Sequence, residues 1–478
     1  MRRIPVIFVL ILVLMVGCIY AETIISANIT TSTTWDLAGS PYIIQGTRLI
    51  SGVTNPIVTV DPGVVIKFNA GAILQIGSNS SSTSPGGMIV NGTAGNPVLL
   101  TANSASPAPG FWSHVRSNLY ASQDQVVFNY AIFEYGGSSN GIFEVGGGNP
   151  SFSHCTFRYS ENYGLYHAST SAGASITDCL FDSNGTYPLQ INSTKTNLIG
   201  SGNQYINNVI QRVLINTENI TEGQTWLNQG IPYELDNSQY VYTGVNPLVL
   251  EPGTQMLFRA GKKLYVGFGS SSATSGCVDA DGVSFGAVTP SLGWYGIEFQ
   301  PYTQASILNN CTISDVSAIA PGALYIRSNN TTTISNCLIA DCDTYGLYAV
   351  SGAVFTWSGS TIQNCASTIY IYPRDVMKLG SGNQYLTNTD NEIYVPGGTI
   401  SVSGSWTRQS VPLRVGGDIE IYNTGGCSVT IPYGVVMKFG SGVGFHVGYT
   451  GSESSTGSLY ATGATFRGTT SSAGYWDG

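Results

Sequence analysis

Charge is what this chain has least of. Charged residues make up 9% of 478 positions, against about 25% in an ordinary soluble domain. Histidine occurs four times, and the 18 basic side chains form no Lys/Arg run, which excludes the electrostatic footprint of a nucleic-acid binder. The net charge of −9 disfavours anionic polysaccharides unless a divalent cation bridges them, and suits neutral glycans. No capped stretch of helical apolar periodicity is present, so long helices are not expected. Hydrophobic residues still reach 42%, enough for a large core. Short apolar runs alternate with Gly, Asn, Ser and Thr, the punctuation of an all-β chain.

What is there is repetition. The segment LGSGNQYLTN ending at Asn388 nearly copies LIGSGNQYINN ending at Asn208. VDPGVVIKF (Val60 to Phe68) returns as LEPGTQMLF (Leu250 to Phe258) and IPYGVVMKF (Ile431 to Phe439). Clusters around Trp112, Trp294 and Trp476 recur at nearly the same interval. A period of roughly 180–190 residues exceeds any helical repeat, so each unit holds many smaller elements. The expected division is a leader over 1–21, a first unit over 22–215, a second over 216–395 and an incomplete third over 396–478. The third unit stops just after Trp476, from which further C-terminal chain, or a partner covering the end, is expected.

A finer period runs inside the units. Asn129-Tyr130-Ala131-Ile132, His154-Cys155-Thr156-Phe157 and Asp178-Cys179-Leu180-Phe181 share a polar–Cys/Tyr–X–apolar pattern, repeated by Asn310-Cys311, Asn336-Cys337 and Asn364-Cys365. Steps of roughly 24 to 28 residues fit one coil of a parallel β-helix carrying two or three short strands. Equivalent residues of neighbouring coils then sit roughly 4.8 Å apart. Cys155, Cys179, Cys311, Cys337 and Cys365 are therefore expected as an inward structural ladder of free thiols, with the preceding Asn or Asp at a corner. Parallel side chains are poorly placed for disulfides.

The coil pattern together with the PGVVIKF-type segment resembles secreted bacterial right-handed parallel β-helix proteins of the pectin-lyase-like fold. The resemblance runs from about Trp35 to the end and implies right-handed winding. It says little of activity, because the fold hosts lyases, hydrolases and non-enzymatic surface proteins. Asn388-Thr389-Asp390 is similar to the first motif of polygalacturonase-like hydrolases, but the further Asp pair and the Gly-His-Gly of those enzymes are missing from the sequence, and paired carboxylates do the work there. Arg374, Asp375, Lys378 and Glu392 form the densest charged patch, read as surface ion pairs in preference to a lyase site. Asp279 and Asp281 start a calcium-loop-like turn without its later ligands, so no cofactor is assigned and Ca²⁺ is carried only as a weak candidate.

Arg2 and Arg3 precede an apolar run from Ile4 to Val16, the order of a secretory signal. Two exits are open: cleavage after Ala21, or a lipoprotein-type signal ending before a lipidated Cys18. The run is shorter than the ~20 residues of a spanning helix, so no transmembrane segment is expected in the mature chain. Trp112, Trp294 and Trp476 are candidates for sugar stacking, with a structural role the competing reading. Tyr163 and Tyr345, in Tyr-Gly-Leu-Tyr segments expected to keep one ring each outside, are candidate contacts. The leading functional expectation is an exported, non-catalytic surface or extracellular protein, secreted or lipid-anchored, that binds an extracellular glycan or a cell-surface protein. A polysaccharide lyase or glycoside hydrolase is the alternative.

Overall fold

Valine, isoleucine and phenylalanine alternate with polar residues in short runs, as in Ile57–Val60 and Val65–Phe68, whose second and fourth residues are buried. Period-2 burial of this kind makes a strand with one face on a core. In the computed structural model, which describes residues 22–168, 172–448, 451, 454–472 and 474–477, these strands wind into about 17 coils. The leader and Cys18 lie outside the described residues. Strand pairings are parallel apart from Asn423–Thr424 against Ser455–Ala461, and the only helices among the described residues are short 3-10 turns. No helix there is long and apolar enough to cross a membrane.

Each coil contributes to three flanks. In the first unit these are an eight-stranded sheet from Thr23–Ile25 to Gln204–Ile206, a sheet entered at Thr47–Ile50, and a six-stranded sheet from Thr33–Trp35 to Ser175–Thr177. The interior stacks in register. Phe133, Phe157, Phe181 and Tyr205 follow one another on adjacent coils at ring separations of 5.0, 5.0 and 5.4 Å. Offset aromatic stacks of this spacing add to the gain from burial.

Corners are made by single residues in the left-handed region. His154, Asp178, Asn310, Asn336 and Asn364 all have φ between 51° and 56°, a conformation that Asn and Asp adopt most readily. A three-residue strand such as Thr312–Ser314 lies between two such kinks, at Asn310 and Asp315. The cysteine after each kink points inward, and all eight described cysteines are buried free thiols.

Two details differ from the sequence reading. Cys155 and Cys179 neighbour each other, as do Cys311 and Cys337, but Cys365 pairs with Cys342. The strand Thr361–Gln363 is preceded by Ser360, which replaces cysteine in the Cys311–Cys337 column, and is followed by Cys365 at its other corner. Both corners carry the same kink-then-cysteine signature, so sequence spacing merged two columns into one. Tyr130, similarly, falls over His154 at 4.5 Å and not over Cys155.

The units do not stack face over face. The fourteen-stranded sheet passes from Leu189–Asn192 to Val213–Asn216 and on to Tyr233–Leu235 and Gln255–Phe258. The recurring strand that ends in Phe68 lies on the eight-stranded sheet. Its second copy, ending in Phe258, lies on the fourteen-stranded sheet, and its third, ending in Phe439, on the ten-stranded sheet that starts at Gln239–Val241. A unit thus takes seven coils and one further flank, and each unit starts a third of a turn on from the last.

The nearly copied segment before each joint explains itself. Asn203 and Asn383 bond their own turn, Nδ2 donating to the carbonyls of Gly200 and Gly380 at 2.9 and 2.8 Å. The hydroxyls of Tyr205 and Tyr385 donate to Oε1 of Gln229 and Gln409 at 2.9 and 3.0 Å. Each glutamine belongs to the next unit, just after the buried Trp226 or Trp406. Its amide also reaches back to Gly200 or Gly380 at 3.2 or 3.1 Å. The copied residues are a clasp between units.

Candidate binding flank

Outward residues at the centre of each strand of the ten-stranded sheet fall into one register column. It runs Tyr240, Tyr265, Glu298, Tyr325, Tyr348, Tyr370, Tyr394, Arg414, Lys438 and Arg467. Nine steps of ~4.8 Å give a stripe of roughly 43 Å. The tyrosines are half-buried. Tyr240 lies flat on Tyr265 at 4.7 Å, and Tyr348 on Tyr370 at 4.2 Å and 6°. Tyr345 stands beside the stripe at 77° to Tyr348 and 81° to Tyr370, which makes an angled trough of rings.

From Glu298 to Lys438 the stripe's charges are paired. Glu298, with a side chain 7% exposed, accepts from Lys263 Nζ and Arg327 Nη1, both at 2.9 Å. The same two cations lie over the rings of Tyr265 and Tyr325 at 5.3 and 5.7 Å. Arg414 donates to Asp390 at 2.6 Å, meets Glu392 at 3.5 Å and covers Tyr394 at 4.7 Å, while Lys438 also pairs with Glu392. A buried carboxylate bracketed by cations on the coils before and after it recurs on the fourteen-stranded sheet. There Glu234 accepts from Arg212 at 3.0 Å, Arg259 at 2.9 Å and the Tyr187 hydroxyl at 3.0 Å. Burial pushes its pKa up, but these three bonds outweigh that and hold it below the ordinary carboxylate value.

The sequence candidates distribute as follows. Trp112 and Trp294 are fully buried, stacked on Phe68 and Phe258 at 4.0 and 4.5 Å. Their indole N–H groups donate to the carbonyls of Glu134 and Ser314 at 2.9 and 2.7 Å. Neither presents a ring face to a sugar, and burial leaves them the structural role. Trp476 is half-buried and lies on Phe439 at 4.9 Å, the same arrangement a third time. Both tyrosines of each Tyr-Gly-Leu-Tyr segment are half-exposed, because Gly and Leu are both buried between them. Tyr163 therefore shares an outward face with Tyr166, and Tyr345 with Tyr348.

The remaining candidates are corners and ion pairs. Asp281 accepts from the amides of Asn309 and Asn310 at 3.0 and 2.8 Å. Together with Asp279 it belongs to no cluster of three or more metal-ligating side chains, none of which occurs among the described residues. Asn388 is a buried corner whose Nδ2 donates to the Ile362 carbonyl at 3.0 Å, and its companion Asp390 is paired to Arg414. The charged patch divides in two. Asp375, fully buried, holds Lys378 at 2.7 Å, and Glu392 belongs to the tyrosine flank. The thiols act on one another in pairs: burial, then Cys179, pushes Cys155 up, and the Cys311 thiol, then burial, pushes Cys337 up, while the bonds from Cys337 and Cys342 draw Cys311 and Cys365 down.

Five tyrosines of the column (Tyr240, Tyr265, Tyr325, Tyr370 and Tyr394) went unsingled by the sequence reading. Their steps along the chain are uneven, short from Tyr394 to Arg414 and long from Tyr265 to Glu298, since corner loops vary in length. Aligning coils on their inward residues is the signal that finds them.

The winding defines a right-handed parallel β-helix protein. The family described as right handed beta helix region matches residues 281–407, and the coils before and after that span continue the same fold. Neither a curated protein nor a solved structure gives a significant match.

Proposed function

We propose that this protein is an exported, non-catalytic β-helical surface or extracellular protein that holds a neutral glycan along its tyrosine flank. The register column of six tyrosines is the observation that carries the reading. Tyrosine joins a flat apolar ring to a hydroxyl, the two features that a sugar's C–H face and its hydroxyls require. The cations along the tyrosine stretch, from Lys263 to Lys438, are already neutralised by Glu298, Asp390 and Glu392, and the whole chain is acidic, so that stretch favours an uncharged ligand. The buried carboxylates Glu134, Glu144, Glu234, Glu298 and Asp375 are each engaged by a cation. That state suits a structural rung and not an acid poised to give up a proton.

The test is retention of the protein on a panel of neutral and acidic polysaccharides, with Tyr325→Ala and Tyr345→Ala made singly and together. A buried aromatic contact of about 1.4 kcal/mol corresponds to tenfold in affinity. Each single variant is expected to weaken binding by about that factor. Unchanged binding in the double variant, or release of reducing ends or unsaturated uronates from any polysaccharide, overturns the proposal.

A further inference from the structure

We infer that the tyrosine column is also a site of oxidative cross-linking, at which Tyr348 and Tyr370 are joined as dityrosine and weld two neighbouring coils. This goes beyond ligand binding and does not depend on what the flank binds.

Proximity is the first ground. The two rings lie on adjacent strands, in register, with centroids 4.2 Å apart and planes 6° from parallel. Both are half-exposed on the outer face, within reach of a diffusing oxidant. A pair already held in contact reacts at an effective concentration that no encounter in dilute solution attains.

Selectivity among the tyrosines is the second. A cation over a ring draws on its π electrons and makes the ring harder to oxidise. Lys263 and Arg327 cover Tyr265 and Tyr325, and Arg414 covers Tyr394. Such cations flank the Tyr348–Tyr370 pair on both sides along the column. The pair itself is stacked, and stacking spreads a positive hole over both rings. An oxidising equivalent that enters the column therefore settles on this pair. The Tyr240–Tyr265 stack is the next closest, at 4.7 Å, but Lys263 lies over one of its rings.

The chemistry needs a one-electron oxidant, here a peroxidase supplied with hydrogen peroxide. Each phenol gives up one electron and its hydroxyl proton. The two radicals form a carbon–carbon bond between ring positions ortho to oxygen. The hydrogens on those carbons then move to the oxygens and restore both phenols. The protein loses two hydrogen atoms, and one peroxide becomes two waters.

The test treats the dilute full-length protein with peroxidase and hydrogen peroxide, isolates the monomer and maps cross-linked peptides by mass spectrometry. The expected product joins the peptides of Tyr348 and Tyr370 at a mass two hydrogens below their sum. Most of the monomer's dityrosine fluorescence should vanish in Tyr370→Phe and persist in Tyr240→Phe. If exposure alone governed the reaction, Tyr433 and Tyr460, 77% and 60% exposed, would react first and link separate molecules. Cross-links confined to those residues, an unmodified Tyr348–Tyr370 pair, or undiminished monomer fluorescence in Tyr370→Phe overturns the inference.

Discussion

Replacing Trp294 by phenylalanine separates a structural from a ligand-contacting indole, and its cost follows from the geometry. The phenyl ring keeps the stack on Phe258 but loses the N–H bond of 2.7 Å to the Ser314 carbonyl. A lost hydrogen bond costs about 0.5–1.5 kcal/mol, and a carbonyl left buried without a donor raises this further. The smaller ring also leaves a void beside a fully buried site, with a penalty that grows with cavity size. About 2 kcal/mol is the expected total, against about 3–5 kcal/mol for Trp294→Ala. Because a solenoid opens locally, the appropriate readout is hydrogen exchange in the coils around Trp294, not a single melting temperature. At about 1.4 kcal/mol per decade, exchange there should speed up roughly thirtyfold. Trp112→Phe, with its own bond of 2.9 Å to the Glu134 carbonyl, should behave alike. Trp476→Phe, half-exposed, should cost less. Unchanged exchange in Trp294→Phe would refute the structural assignment, as would lost glycan retention at unchanged exchange.

Glu234 should report on acid. Its folded pKa lies below the ordinary value of 4.5, so the stability it contributes is present above that value and is lost as pH falls through the lower folded one. Denaturation of wild type and Glu234→Gln should therefore differ at neutral pH and converge in acid; a constant difference would count against the ion rung. The clasp is tested by Gln409→Ala, which removes the acceptor of Tyr385 and the donor to Gly380. About 1–3 kcal/mol should be lost, seen as faster exchange on both sides of the joint and not within the second unit's middle coils. Uniform change along the chain would refute the joint assignment.

The winding was legible because its causes are local. Inward apolar pairs, left-handed Asn and Asp corners and recurring cysteines are each dictated within a few residues, and Asn310, Asn336 and Asn364 all occupy the conformation their type favours. What depends on the relation between coils was not. Cys365 was assigned to the wrong column because the two corners of a coil use the same chemistry. The burial of Trp112 and Trp294 could not be told from a regular sugar platform, since both repeat once per unit. The tyrosine column escaped notice because corner loops of unequal length hide a register that is constant in space. The step of one flank at each joint left no mark on the inward pattern, which reads the same whichever way a strand faces.

That step has a geometric consequence. Seven and a third coils at ~4.8 Å carry a unit about 35 Å along the axis while turning its origin by a third of a circle. The array is a spiral staircase, and along its 17 or so coils, roughly 82 Å in all, each unit opens on a different side. Tyr240 to Tyr394 belong to one landing, so a filament or wall laid against them touches the second unit broadside and the first unit on a different face.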